Sequence, residues 1–231
     1  MIKKIKFYPK TKETEKLVEV PEPSKNFVPD WYKKIPPFEN NKIKINEKGI
    51  ANKTVKMCVP FSDSFNMGYI QKTWCDIYIE NIDGNIKYFY SSYPQIIEHR
   101  EKTHFPIPQE YYPIEFAWKI NWIPQLPDGY SIIYTHPFNR IDLPFHSLTG
   151  VVDSDKFKYE LDGSHPFFIK NTFSGIIPAG TPFLQMIPIK RESWQMETLM
   201  HNEDDAIQGA YPLKNFWGWY KKNCWNKKVF R

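Results

Sequence analysis

Residues Trp74 to Tyr90 read WCDIYIENIDGNIKYFY, and this stretch decides the fold class. Two runs rich in β-branched and aromatic residues flank Asp83-Gly84. An Asp-Gly pair supplies the positive φ angles of a two-residue primed turn, whose twist matches that of paired strands. The segment is therefore expected to be a β-hairpin with Asp83-Gly84 at its tip. Farther along, Pro127-Asp128-Gly129 marks a second turn, followed by the strand-like Tyr130 to Thr135 and then three apolar runs separated by Pro, Gly and Asp. Short strands with turn residues between them predict an all-β-dominated fold, a β-sandwich or distorted barrel.

The wider composition agrees. The 231 residues carry 20 Pro against 10 Gly, and Pro spread along a chain breaks long helices because it lacks an amide donor and clashes with the preceding turn. Hydrophobic residues at 41% and aromatics at 17% supply enough apolar surface to offset the entropy of folding. Residues 1 to 50 read as an extended arm. Its segment VPEPSKNFVPDWYKKIPPF alternates Pro with aromatics, allows at most one helical turn around Asp30 to Lys34, and is expected to lie on its own domain or on a neighbouring subunit. Residues 51 to 231 read as one β-rich domain. Beyond Arg191, ESWQMETLMHNEDDA and LKNFWGWYKKNCWNKK place apolar residues three and four apart, which predicts two short helices closing the domain.

The net charge of +5 comes from interspersed Lys and acidic residues, with a basic block only at the C-terminal end. All but four of the 31 basic residues are Lys, whereas duplex readers favour Arg forks, so duplex nucleic acid is not an expected partner. Three widely separated cysteines, Cys58, Cys75 and Cys224, fit neither a disulfide framework nor a zinc knuckle, which suits a reducing compartment. No apolar run follows the charged MIKKIKFYPK and none is long enough to span a bilayer, so neither export by a signal peptide nor membrane insertion is expected. There is no P-loop, no G-x-S-x-G elbow and no Gly-rich dinucleotide fingerprint. The closest approach to a metal set is His136, Asp142 and His146 in THPFNRIDLPFH, which lacks the H-x-H or H-x-D pair of a facial triad. In Asn215 to Arg231, Phe216, Trp219 and Tyr220 lie beside Lys221, Lys222, Lys227, Lys228 and Arg231. Aromatics interleaved with cations are what single-strand grooves use, but a closing helix with solvated lysines is the expected reading here and single-stranded nucleic acid is not an expected partner.

Two resemblances follow from particular motifs. LTGVVDSDKF resembles the G-V-I-D-S-D-Y-R-G motif of trimeric dUTPases, and IIPAGTPFLQMIPI resembles their later G-x-x-x-x-Q strand. The likeness implies a nucleotide-binding β-barrel of the dUTPase and dCTP deaminase type. Asp153 takes the place of the catalytic aspartate and Gly180 and Gln185 match the later strand, with Phe157 as the ring nearest the site and Arg140 as the anion clamp. Lys156 stands where that family has its tyrosine, Phe168 stands where the deaminases have a glutamate, and the C-terminal Gly-rich lid is missing. Separately, PDWYKKIP, THPFNRIDLPF and the aromatic-lysine tail resemble uncharacterised proteins of tailed phages infecting marine bacteria, which implies a place in the infected cell or the virion. The sequence-level expectation is a non-enzymatic binding or structural protein without a cofactor, partnered by copies of itself or by another viral protein. The alternative is a dUTPase-like nucleotide-binding protein or nucleotide pyrophosphatase.

Overall fold

A computed structural model of the chain describes residues 3–82, 85–100, 105–157, 163–199 and 218–231. The fold divides into two compact units, one built from Met1–Phe27, Gly68–Arg191 and Arg231, the other from Val28–Met67 and Glu192–Phe230. Residues 1 to 50, expected as one arm, are shared between them.

The first unit holds every described strand. In chain order its first elements are β1 (Lys6–Pro9), α1 (Lys12–Leu17), β2 (Glu22–Pro23), β3 (Tyr69–Lys72), β4 (Ile77–Ile82), β5 (Asn85–Phe89), β6 (Ile97–Arg100) and β7 (Glu115–Lys119). They continue with β8 (Trp122–Gln125), β9 (Tyr130–Thr135), β10 (Phe145–Ser147), β11 (Gly150–Val152), β12 (Ser164–Ile169), β13 (Gly175–Ile177) and β14 (Pro182–Lys190). The strands form antiparallel sheets in the orders β1-β8, β10-β12-β7-β6, β11-β9-β14-β3-β2 and β13-β4-β5, and none closes into a barrel. The fold is mostly β, as expected.

Strands β4 and β5 pair from Tyr78↔Phe89 to Ile82↔Asn85, so two residues join them. The tip itself, Asp83-Gly84, lies outside the described residues. Period-two alternation buries Ile77 and Ile79 and turns Tyr78 and Glu80 outward. β14 breaks that rule: Pro182 through Ile187 are all buried, because the strand runs between β9 and β3 and is covered on both faces. The largest core cluster joins the four- and five-stranded sheets. Trp118 of β7 stacks on Phe167 of β12 at 3.8 Å and on Phe183 of β14 at 4.6 Å, with Phe145 edge-on at 5.0 Å. Its indole N–H donates to Ser147 Oγ (3.0 Å), which donates in turn to the Phe183 carbonyl (2.6 Å), so the buried polar atoms are satisfied across the sheets. Gly68, at φ +73, is required where β3 begins: a Cβ there would lie 2.0 Å from the Met186 carbonyl oxygen.

The second unit contains α2 (Asp30–Lys34), α3 (Val59–Ser64) and α4 (Trp219–Asn223). Trp31 and Tyr32 pack with Phe61 and Phe65, the Tyr32 and Phe65 rings standing 4.8 Å apart. Lys56 Nζ closes α2 by donating to the carbonyls of Tyr32 (3.0 Å) and Lys33 (3.3 Å). Asp63 accepts both Trp225 Nε1 and Lys228 Nζ at 2.7 Å, which ties the residues after α4 to α3.

The helices differ from expectation. Three of the four described ones precede residue 190, and of these only the turn at Asp30 to Lys34 was foreseen, whereas α4 falls within the second predicted closing helix. α1 is held by Thr11, whose hydroxyl accepts the Thr14 N–H at 3.1 Å, and α3 begins with a Pro in its first turn. Of the predicted helix over residues 192 to 206, residues 192–199 have no regular structure and 200–206 lie outside the described residues. The physical reason is burial. Trp194, Met196 and Leu199 are 88%, 89% and 77% exposed, and a short helix without an apolar surface to pack on is marginal in water. No helix among the described residues is long and apolar enough to cross a membrane.

Candidate functional site

Asp153 follows β11, and β11 pairs with β9 so that Val152 faces Ile132. This sets the carboxylate beside the start of β9, where Ser131 Oγ donates to Asp153 Oδ1 at 2.6 Å. Arg191, just beyond β14, reaches the same place: its Nη1 donates to Asp153 Oδ1 (3.1 Å), Asp155 Oδ1 (2.9 Å), Ser131 Oγ and the Tyr130 carbonyl, while Nη2 contacts Asp155 Oδ2. The Gly129 N–H adds a 2.8 Å bond to Asp155, whose side chain is 1% exposed against 60% for Asp153. The Ser131 hydroxyl and then Arg191 hold the Asp153 carboxyl below the usual carboxylate range, and the Arg191 fork holds Asp155 well below it. This constellation fixes a strand end. A general base poised near neutrality needs the opposite shift.

Arg140 sits beyond the other end of β9. Its Nε and Nη2 fork onto Asp142 at 2.9 and 2.7 Å, and Nη1 reaches the Phe27 carbonyl at 3.4 Å. Gln185, almost fully buried on β14 opposite Thr135, accepts the Phe138 N–H at 2.7 Å and so anchors the loop that carries Arg140. Phe157 is 37% exposed in the turn after Asp153, where its N–H donates to the Asp153 carbonyl. Arg140 and Gln185 thus lie at one end of β9 and Asp153 and Phe157 at the other, four residues or roughly 13 Å away along the strand.

The three metal candidates are close, with the rings of His136 and His146 4.8 Å apart. His136 Nε2 donates to the Arg140 carbonyl (3.1 Å) and Nδ1 accepts the Ser147 N–H (3.3 Å), so neither nitrogen keeps a lone pair for a metal, and Asp142 takes the Arg140 fork. Among the described residues no group of three or more His, Cys, Asp or Glu is placed to hold a metal ion. Burial lowers the His136 pKa to about 4, helped by His146 and opposed by the bond to the Arg140 carbonyl. The unfolded chain therefore takes up this proton first as pH falls below about 6.5. Stability is expected to drop by about 1.4 kcal/mol per pH unit between there and pH 4, and to gain nothing above that window. A proton NMR titration of the His136 ring should give a midpoint at about 4; one near 6.5 would refute the buried neutral imidazole.

Arg140 and Asp142 border a cleft of about 530 Å³ whose other walls include Leu143, Phe173, Ile177 and the turn Pro178 to Thr181. It is mostly apolar, with one ion pair at its edge. Sequence reasoning missed Arg191, Asp155 and the buried pair Arg100–Glu115, with a 2.6 Å contact. A signal was present: in a chain this rich in Lys, an Arg marks a place that needs a planar fork. A scan against models of protein families finds no match to this chain, and no curated protein matches it.

Proposed function

We propose that this chain is a non-catalytic binding or structural protein of phage provenance, acting in the infected cell or in the virion, with the cleft beside Arg140 and Asp142 as its site for a mainly apolar group. One observation carries this reading: the side chains that would perform nucleotide chemistry are committed to intramolecular partners at opposite ends of β9. Asp153 is tied to Ser131 and Arg191, Arg140 to Asp142, and Gln185 to the Phe138 amide. A nucleotide pyrophosphatase needs the anion clamp and the water-activating carboxylate to converge within a few ångströms of one substrate. The provenance rests on the resemblance of PDWYKKIP and THPFNRIDLPF alone. The test is incubation of the full chain with deoxynucleoside triphosphates, dUTP first, and chromatographic assay of products. No turnover is expected; dUTP hydrolysis abolished by Asp153→Asn would overturn the proposal in favour of a dUTPase-like enzyme.

A further inference from the structure

β5 is the last strand of its three-stranded sheet, so one edge of its backbone has no partner strand among the described residues. The residues Ile86, Lys87, Tyr88 and Phe89 of this strand line a groove of about 330 Å³ together with His99, Ile114 and Phe116. Tyr88 is fixed in place by an edge-to-face contact with Phe116 (5.8 Å) and a hydrogen bond to His99 Nδ1 (3.0 Å). An open apolar groove beside a free strand edge is the form that accepts an added strand.

The same chain carries a segment that fits it. Glu192 to Leu199 has no regular structure, yet shows Trp194 and Met196 to solvent at 88% and 89% exposure. Apolar groups gathered in water, here Trp194, Met196 and Leu199 within six residues, form the kind of surface that partners cover, as singly scattered ones do not. These two side chains are two residues apart, so an extended backbone projects them to one side and Gln195 and Glu197 to the other. β5 has the matching parity: Ile86 and Tyr88 are half-buried while Lys87 faces out. Charge matches as well. From Glu192 to Leu213 the sequence contains no Lys or Arg and includes Glu197, Glu203, Asp204 and Asp205, in a chain of net charge +5. A strand added with Trp194 and Met196 inward brings Glu197 to the face that Lys87 occupies, and opposite charges across strands are favourable whereas Lys87 against a second Lys87 is not. We propose that residues 192–199 of one copy add as a strand to the β5 edge of a second copy, with Trp194 and Met196 filling the groove.

Sedimentation velocity on the full chain, from about 1 to 200 µM, should show concentration-dependent self-association. The double substitution Trp194→Asp with Met196→Asp touches only exposed positions and should weaken association at least about tenfold with an unchanged melting temperature. Lys87→Glu should weaken it too, and Lys87→Glu combined with Glu197→Lys should restore it. Benzoylphenylalanine at position 196 should crosslink to residues 86–89 in a covalent dimer. A chain that is monomeric throughout, association that survives the double substitution, or crosslinks confined to the monomer band would each overturn the proposal.

Discussion

Trp118→Ala is expected to cost about 3–5 kcal/mol, the largest single loss from any core position in the chain. The indole is fully buried and is the one side chain in stacking contact with both neighbours, Phe167 in its own sheet and Phe183 in the facing sheet. Truncation opens a cavity bounded by Phe145, Phe167 and Phe183, rings too stiff to collapse into it. It also removes the donor to Ser147 Oγ, although that hydroxyl keeps its own bond to the Phe183 carbonyl. Stacked aromatic pairs add about 0.5–1.5 kcal/mol each beyond the area they bury. Against a typical total stability of 5–15 kcal/mol, the variant should melt far below the wild type or fail to accumulate folded. Trp118→Phe refills most of the volume and should retain more than half of the lost stability. Urea denaturation of the two variants checks this, and equal losses would show that the cavity is not the cause.

Arg100→Met should cost about 3 kcal/mol by a different route. Arg100 and Glu115 are directly opposed in the β6–β7 register, and Arg100 Nη1 donates to Glu115 Oε1 at 2.6 Å. The Glu115 side chain is 0% exposed, and its second oxygen accepts no hydrogen bond among the described residues. Among the described residues Arg100 is therefore the cation on which the carboxylate depends. Removing the cation leaves a buried charge unpaired, for which 3–5 kcal/mol is usual; the lower end applies because Arg100 is itself 35% exposed and water can enter. Replacing both partners removes the stranded charge, so Arg100→Met with Glu115→Leu should be markedly more stable than Arg100→Met alone. Chemical unfolding of the two variants decides it. A single-variant loss under about 1 kcal/mol would mean that solvent, not Arg100, compensates Glu115.

The parts of the fold that were legible in the sequence are those whose cause is local. The pairing of β4 with β5 follows from alternation around one Asp-Gly pair, and β9 follows from the turn signal just before it. The helices α1 and α3 were not legible, because six residues carry less than two turns of periodicity and the cap that starts α1 is a single Thr. The helix expected after Arg191 shows the converse. Its apolar spacing was real, but spacing forms a helix only where a surface takes the apolar side chains, and among the described residues Trp194 and Met196 stay exposed. The candidate residues lie at two separate places for a related reason. Asp153 and Gln185 matched motif positions and Arg140 was the one anion clamp offered where the family's phosphate-binding turn is replaced, but their convergence depends on strand order, and antiparallel β11 carries Asp153 back to the opposite end of β9 from Arg140. The partners that matter to Asp153 and Glu115 lie 38 and 15 residues away in sequence, where no local pattern reports them.

On the proposal of a non-catalytic protein, the Arg191–Asp153–Asp155 cluster holds the fold instead of serving a reaction. Asp155 is enclosed and depends on Arg191, so Arg191→Met should melt below the wild type at neutral pH, and the difference should shrink as pH falls from about 4, where the unfolded carboxyls take up protons, toward the lower range in which the depressed carboxyls of the folded protein do so. The direct measurement is thermal melting of wild type and Arg191→Met, each with and without millimolar dUTP. A nucleotide at a hundred times its dissociation constant would add about 2.7 kcal/mol, which a melting curve resolves easily. The expected result is a lower melting temperature for the variant, with no shift on adding dUTP in either protein. A variant that melts at or above the wild type, together with a dUTP shift seen in the wild type and lost in the variant, would contradict it.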